Sequence, residues 1–219
     1  MQKSLVSLPS EIEHPIDLKS LTISYCEKLT HLPAGVRKLK ALEYLDINGC
    51  HCLESLPTEE IAGFNSLKLV HWELQQPDFS IKWIPPSHNL RTALYCGLPS
   101  VNLSADSFQN LSSLRSLNII SCPELRPLPL GLQHVTTLQS LLIHSSPDLA
   151  DLPDWLAKLS YLRSLAISNC TCFMSLPEGL KHLNTLQHLS IQDCPHLERE
   201  WRKIAHMPRI YVGSLKCGR

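Results

Sequence analysis

The sequence predicts a solenoid of the α/β repeat class. Each unit adds one short strand to a parallel sheet and one helical or 3₁₀ turn to the opposite side. Three observations predict it. Leucines at 18, 42, 67, 90, 114, 138, 162 and 186 open units spaced by 24, 25, 23, 24, 24, 24 and 24 residues, with no linker between them. The clearest units begin Leu-x-x-Leu-x-Ile, an alternation of period 2 that gives a strand with one buried face. The same units continue with Leu-Pro at positions 15 and 16 and apolar residues at 19 and 22, a spacing of three that suits a turn of helix.

One unit shows how the parts follow from the residues: Leu114, Leu117, Ile119, Cys122, Leu125, Leu128, Pro129, Leu132 and Val135. Leu117 and Ile119 point inward from the strand, and the residues between them point to the other face. Pro129 lacks a donor and fixes φ, so the chain must leave the strand before it. The later apolar pair, repeated in Gly179-Leu180-Lys181-His182-Leu183, forms a helical or 3₁₀ turn on the outside. A lone unit cannot bury its apolar side, whereas stacked units share a continuous core.

Position 9 carries Cys26, Cys50, Cys122, Cys170 and Cys194, with Ser146 in the sixth unit. A small buried donor suits the bend after the strand, where backbone carbonyls need partners. Cys50-His51-Cys52 and Cys170-Thr171-Cys172 superficially resemble zinc ligands. The first cysteine of each belongs to the buried ladder and no C-x₂-C partner lies nearby, so a structural role is expected and no metal. There are nine cysteines, an odd number that recurs with the repeat and does not form a disulfide framework, which favours free thiols and a reducing, cytoplasmic compartment.

At the N-terminus Leu5, Leu8-Pro9 and Ile12 fit positions 12, 15, 16 and 19 of a preceding unit, so residues 1–17 read as a partial repeat and the chain as part of a longer protein. That leaves an uncovered strand edge, and self-association through it is expected. The units opening at Leu67 and Leu90 are degenerate. Leu69 and Trp72 replace the usual pattern, and Trp83, Ile84, Pro85 and Pro86 predict an irregular loop between about Gln75 and Asn89. Residues 197–219, with Trp201, Ile204, Ile210 and Val212, read as a C-terminal cap, and the whole of 1–219 as one domain.

Lysine plus arginine and aspartate plus glutamate each total 20, so no net charge points to nucleic acid or an anionic membrane. No apolar signal segment or run of eighteen apolar residues is present. Nothing assembles a nucleophile, base and acid: the histidines scatter, Glu59-Glu60 lies in an outer turn, and no G-x-S-x-G occurs. No catalytic residue and no cofactor are expected.

The unit Leu-x-x-Leu-x-Ile-x-x-Cys-x-x-Leu-x-x-Leu-Pro resembles the leucine-rich repeats of plant intracellular nucleotide-binding receptors of the coiled-coil, disease-resistance type, and the resemblance covers nearly the whole chain. The segment Trp201-Arg202-Lys203-Ile204-Ala205-His206-Met207-Pro208 is similar to the Trp-x-Lys-Ile-x-His-x-Pro element that closes such solenoids, although here it follows Glu198-Arg199 almost directly, without the usual Gly-containing insert. The resemblance implies a right-handed, curved leucine-rich-repeat solenoid with the sheet on its concave face. It also implies recognition of a pathogen effector and restraint of a neighbouring nucleotide-binding domain. No G-x-x-x-x-G-K-[ST] occurs here, so a nucleotide would bind elsewhere in the parent.

Rival readings are a free-standing intracellular repeat adaptor and the substrate-binding part of a ubiquitin ligase, whose catalytic domain would have to lie outside these repeats. An extracellular ectodomain fits less well. Asn102, Asn110 and Asn169 open sequons, but the units use Leu-Pro in place of the Gly-x-Ile-Pro of secreted plant repeats. On the concave face, positions 3, 5 and 7 should meet a protein partner. The residues expected there are Tyr44, Asp46 and Asn48, Leu69, His71 and Glu73, Asn118 and Ile120, Leu142 and His144, and His188, Ser190 and Gln192. Tyr44, Ile120 and Leu142 are expected to be exposed apolar anchors.

Overall fold

The computed structural model describes residues 17–32, 34–53, 64–73, 89–97, 108, 111–197 and 210–213. Nine strands of four or five residues lie within them: β1 (Ser20–Ser24), β2 (Tyr44–Asn48), β3 (Leu69–Glu73), β4 (Thr92–Cys96), β5 (Ser116–Ile120), β6 (Ser140–His144), β7 (Ser164–Ser168), β8 (His188–Gln192) and β9 (Ile210–Gly213). They form one sheet in chain order, every neighbouring pair parallel. The expected register holds: Leu117 faces Leu141 and Ile119 faces Ile143. β9 adds a strand beyond the eight that the leucine spacing predicts.

The alternation decides burial. From β2 to β8, positions 4 and 6 are buried, as in the pairs Leu45 and Ile47, Leu141 and Ile143, and Leu165 and Ile167, while positions 3, 5 and 7 face solvent to varying degrees. The degenerate units keep the same register. Tyr44 pairs with Leu69 and Leu69 with Thr92, so the spacings of 25 and 23 are absorbed outside the strands. Their core is filled differently: Val70 with Trp72 and Ala93 with Tyr95 take the Leu and Ile places, all within 1% of full burial.

After β1, β2 and β4 to β8 the chain turns through a residue at position 8 with positive φ: Tyr25, Gly49, Gly97, Ser121, Ser145, Asn169 and Asp193. The N–H of six of these donates to the position 7 carbonyl of the next unit, for example Ser121 to His144 at 2.8 Å and Ser145 to Ser168 at 2.9 Å. The ladder thus runs one residue past the strand before the bend. At Gly49 (φ 62°) an added Cβ would also lie 2.6 Å from Cδ1 of Tyr25, whose ring covers this glycine.

On the opposite side short 3₁₀ helices span Ala34–Lys38, Leu130–His134, Asp154–Lys158 and Glu178–His182. Pro129, Pro153 and Pro177 stand just before the last three, where a missing donor costs nothing, and each carbonyl accepts the N–H of Leu132, Leu156 or Leu180. Those leucines turn into the core.

The expected partial repeat (Leu5, Leu8, Pro9, Ile12), the irregular segment up to residue 88, the Glu198–Arg209 part of the cap and Cys217 lie outside the described residues. At the β1 end Leu18, Leu21 and Cys26 are only partly buried, whereas their counterparts Leu42, Leu45 and Cys50 are fully buried.

Candidate functional site

The solvent face of the sheet is a grid of rows, because a parallel in-register sheet sets equivalent positions side by side at about 4.8 Å. Row 3 reads Ser20, Tyr44, Leu69, Thr92, Ser116, Ser140, Ser164, His188. Row 5 reads Thr22, Asp46, His71, Leu94, Asn118, Leu142, Ala166, Ser190. Row 7 reads Ser24, Asn48, Glu73, Cys96, Ile120, His144, Ser168, Gln192. All thirteen residues expected from the sequence fall on this grid. Those of β4, β7 and β1, with Ser116 and Ser140, were missed, although the same positions 3, 5 and 7 pointed to them.

Exposure departs from expectation at two anchors. Tyr44 is exposed at 44%, but Ile120 and Leu142 are half-buried. Neighbours in the same row cover them: Asn118 and Ala166 flank Leu142, and Cys96 and His144 flank Ile120. The middle of the face is therefore a shallow apolar floor of Leu94, Ile120 and Leu142, without protruding side chains.

Polar clusters bound that floor. On β2 and β3, Asp46 Oδ1 meets His71 Nδ1 at 2.8 Å and accepts a hydrogen bond from Asn48 Nδ2 at 3.1 Å. Glu73 sits beside Cys96, whose thiol is pushed up by burial and then by that carboxylate. On β6 and β7, His144 Nδ1 lies 2.8 Å from Ser168 Oγ, and Asn169 Nδ2 donates to Ser145 Oγ at 2.8 Å. On β8, Gln192 Nε2 donates to Ser190 Oγ at 3.4 Å, and His188 is exposed at the row's end.

Just before the strands, position 2 forms another row, held by backbone bonds from Glu43 to Lys19, Lys68 to Glu43, Arg91 to Lys68, Arg115 to Arg91, Gln139 to Arg115, Arg163 to Gln139 and Gln187 to Arg163. Lys68 Nζ pairs with Glu43 Oε2 at 2.7 Å, and that ammonium holds the carboxyl below its usual range.

The position 9 thiols serve the backbone. Sγ of Cys26, Cys50, Cys122, Cys170 and Cys194 donates to the carbonyl two residues earlier at 3.6, 3.5, 3.5, 3.4 and 3.3 Å. Cys50 Sγ also reaches the Ile23 carbonyl at 3.7 Å, and burial raises its pKa. The interaction between the Cys170 and Cys194 thiols lowers the pKa of Cys170 and raises that of Cys194, which burial raises further. Ser146 differs from the thiols: its hydroxyl is buried with no hydrogen-bond partner among the described residues. Cys50 is buried while Cys52 is exposed, and Cys170 is buried while Cys172 is exposed, so neither pair converges on a common point. Among the described residues no group of three or more histidine, cysteine or acidic residues is placed to hold a metal. No helix among them is long and apolar enough to cross a membrane.

With this geometry in hand the comparisons agree on the fold. The R13L1/DRL21 leucine-rich-repeat family matches residues 148–194. No curated relative matches the chain in sequence. Among solved structures, the leucine-rich repeat domain of the type III effector XopL is similar, with TM-score 0.75 and 24% identity, covering 95% of this chain and 73% of that one. Human 5T4 (trophoblast glycoprotein) matches with TM-score 0.70 and 18% identity over 95% of this chain and 82% of that one. A chain of the Toll–Spatzle complex of Drosophila matches with TM-score 0.55 and 19% identity over 86% of this chain and 22% of that one. The chain is a leucine-rich-repeat solenoid, and its gridded sheet face is the concave face of that fold.

Proposed function

We propose that this leucine-rich-repeat region is a non-catalytic, cytoplasmic protein-binding scaffold, the effector-recognition and autoinhibitory part of a plant intracellular immune receptor. The observation that carries the reading is the continuous in-register concave face. A shallow apolar floor on β4–β6 lies between polar clusters on β2–β3 and β6–β7, and a packed solenoid holds it rigid. Apolar floors with polar rims are the usual anatomy of protein interfaces. The R13L1/DRL21 match supports the plant resistance assignment, and a pathogen effector or the parent's own nucleotide-binding domain fits as partner. Cysteines that recur with the repeat at position 9, and not as a disulfide framework, support a reducing compartment. One domain over 1–219, begun by a partial unit at 1–17 and closed by a cap at 197–219, belongs to the same proposal.

The test is co-purification from plant cells, comparing the native chain with an Ile120→Glu/Leu142→Glu variant. Both side chains are only half-buried, so the variant is expected to fold, as circular dichroism would verify. The reading expects the folded variant to lose specific protein partners. Unchanged partners on a folded variant would refute it.

A further inference from the structure

The row at position 2 carries a feature that neither the zero net charge nor the concave-face expectation reveals. Lys68, Arg91 and Arg115 stand consecutively, and Arg163 follows after Gln139, each joined to its neighbour through backbone hydrogen bonds. Lys68 is neutralised by Glu43. Arg91, Arg115 and Arg163 are exposed, and none of them has an ion-pair partner among the described residues. Two guanidinium groups on adjacent strands repel each other, and no carboxylate among the described residues pairs with either.

Directly inside this rim lies a row of small hydroxyls, Thr92, Ser116, Ser140 and Ser164, all partly exposed. They are too short to cover the guanidinium groups and offer further donors. Deeper still is the apolar floor of Leu94, Ile120 and Leu142. Along the strand direction the face thus passes from cationic, through hydroxyl, to apolar, and this strip extends across β4–β7, three strand spacings or roughly 14 Å.

The geometry points to an acidic segment of a protein partner, lying extended across β4–β7 with its carboxylates on Arg91, Arg115 and Arg163 and alternate apolar side chains on the floor. An extended chain presents alternate side chains to opposite sides, matching a charged rim beside an apolar strip. Guanidinium forks bind carboxylates bidentately, and the hydroxyls complete the shell. Single-stranded nucleic acid fits worse: it stacks best on large aromatic side chains, and no concave position of β4–β7 carries a phenylalanine, tyrosine or tryptophan. The inference rests on the concave face being the partner surface and adds the chemistry of the partner.

The test is fluorescence anisotropy with the intact chain. The probes are a labelled peptide alternating glutamate with valine, its glutamine counterpart, and a single-stranded oligonucleotide of matched charge. Arg91→Glu/Arg115→Glu should weaken the glutamate peptide about tenfold or more, and Arg163→Glu by less. Lys158→Glu/Lys181→Glu, on the exposed 3₁₀ side, should change nothing. The glutamine peptide should not bind, and affinity should fall with salt. The inference is overturned by absence of binding, by equal loss in the Lys158/Lys181 control, or by tighter binding of the oligonucleotide. If the peptide fails to bind while Ile120→Glu/Leu142→Glu still removes partners in cells, the rim is wrong and the scaffold reading stands. If the rim binds the peptide and those cellular partners survive, the rim is supported and the apolar floor is not the scaffold's contact.

Discussion

The units of Leu111–Leu197 and the middle units that contribute β3 and β4 build the same sheet from different side chains. In the former, Leu at position 4 and Ile at position 6 repeat almost unchanged, thiols or a serine fill position 9, and proline starts each 3₁₀ turn. In the latter, Val70 with Trp72 and Ala93 with Tyr95 occupy the same two places at the same register. A smaller residue at position 4 accompanies an aromatic at position 6. The backbone ladder and the period of 2 set the register, and the core needs only its volume filled.

That contrast is breakable. Restoring the regular pattern with Trp72→Ile should not help, because Val70 and Ala93 are sized for the indole. We expect a loss of about 2 kcal/mol or more, and about 3–5 kcal/mol for Trp72→Ala, read by urea unfolding. A gain on Trp72→Ile would mean that the aromatic is a misfit and that the two regions are not equivalent.

The next effect lies at the bends. Gly49 sits at φ 62° under the Tyr25 ring, so Gly49→Ala meets both a strained backbone and a contact at 2.6 Å, and should cost roughly 1–3 kcal/mol. Ser121→Gly, at the same position 8 without a covering ring, should by contrast be neutral or slightly stabilising in the same assay.

Smaller still is Tyr95→Phe. The Tyr95 hydroxyl is fully buried with no hydrogen-bond partner among the described residues, and burial pushes its pKa up. Its removal should leave stability unchanged or raise it by up to about 1 kcal/mol. A loss above that would reveal a partner for the hydroxyl.

Labelling needs no mutation. Cys52 and Cys172 are exposed and should alkylate at once, whereas Cys50, Cys122, Cys170 and Cys194 should react only after denaturation, with mass spectrometry of peptides as the readout. Immediate reaction of the buried four would break the position 9 assignment.

Much of this was legible in sequence where side-chain type repeats with the fold. The leucines at position 1, the Leu-x-Ile alternation and Leu-Pro located the regular strands and 3₁₀ turns. β3 and β4 were harder, since Trp72 and Tyr95 break the pattern while keeping its period. The left-handed bends were missed, although Gly49, Gly97, Asn169 and Asp193 share position 8 and are the residue types that tolerate positive φ. The face residues were readable by parity, but their exposure was not. Whether Ile120 and Leu142 protrude depends on neighbours 24 residues away, which only the assembled sheet brings together. The basic rim escaped because its members are scattered in sequence and a net charge averages them away.

The central claim is that one in-register sheet runs through the degenerate units and presents a continuous rigid face. Peptide-resolved hydrogen exchange tests it most directly. β3 and β4 should be protected as strongly as β6 and β7, while β1, where Leu18, Leu21 and Cys26 are less buried, should exchange fastest, so that Leu18–Ile47 exchanges ahead of Leu162–Ile191. Exchange of Leu69–Glu73 and Thr92–Cys96 at the rate of exposed loops would contradict it and divide the face into two unconnected halves.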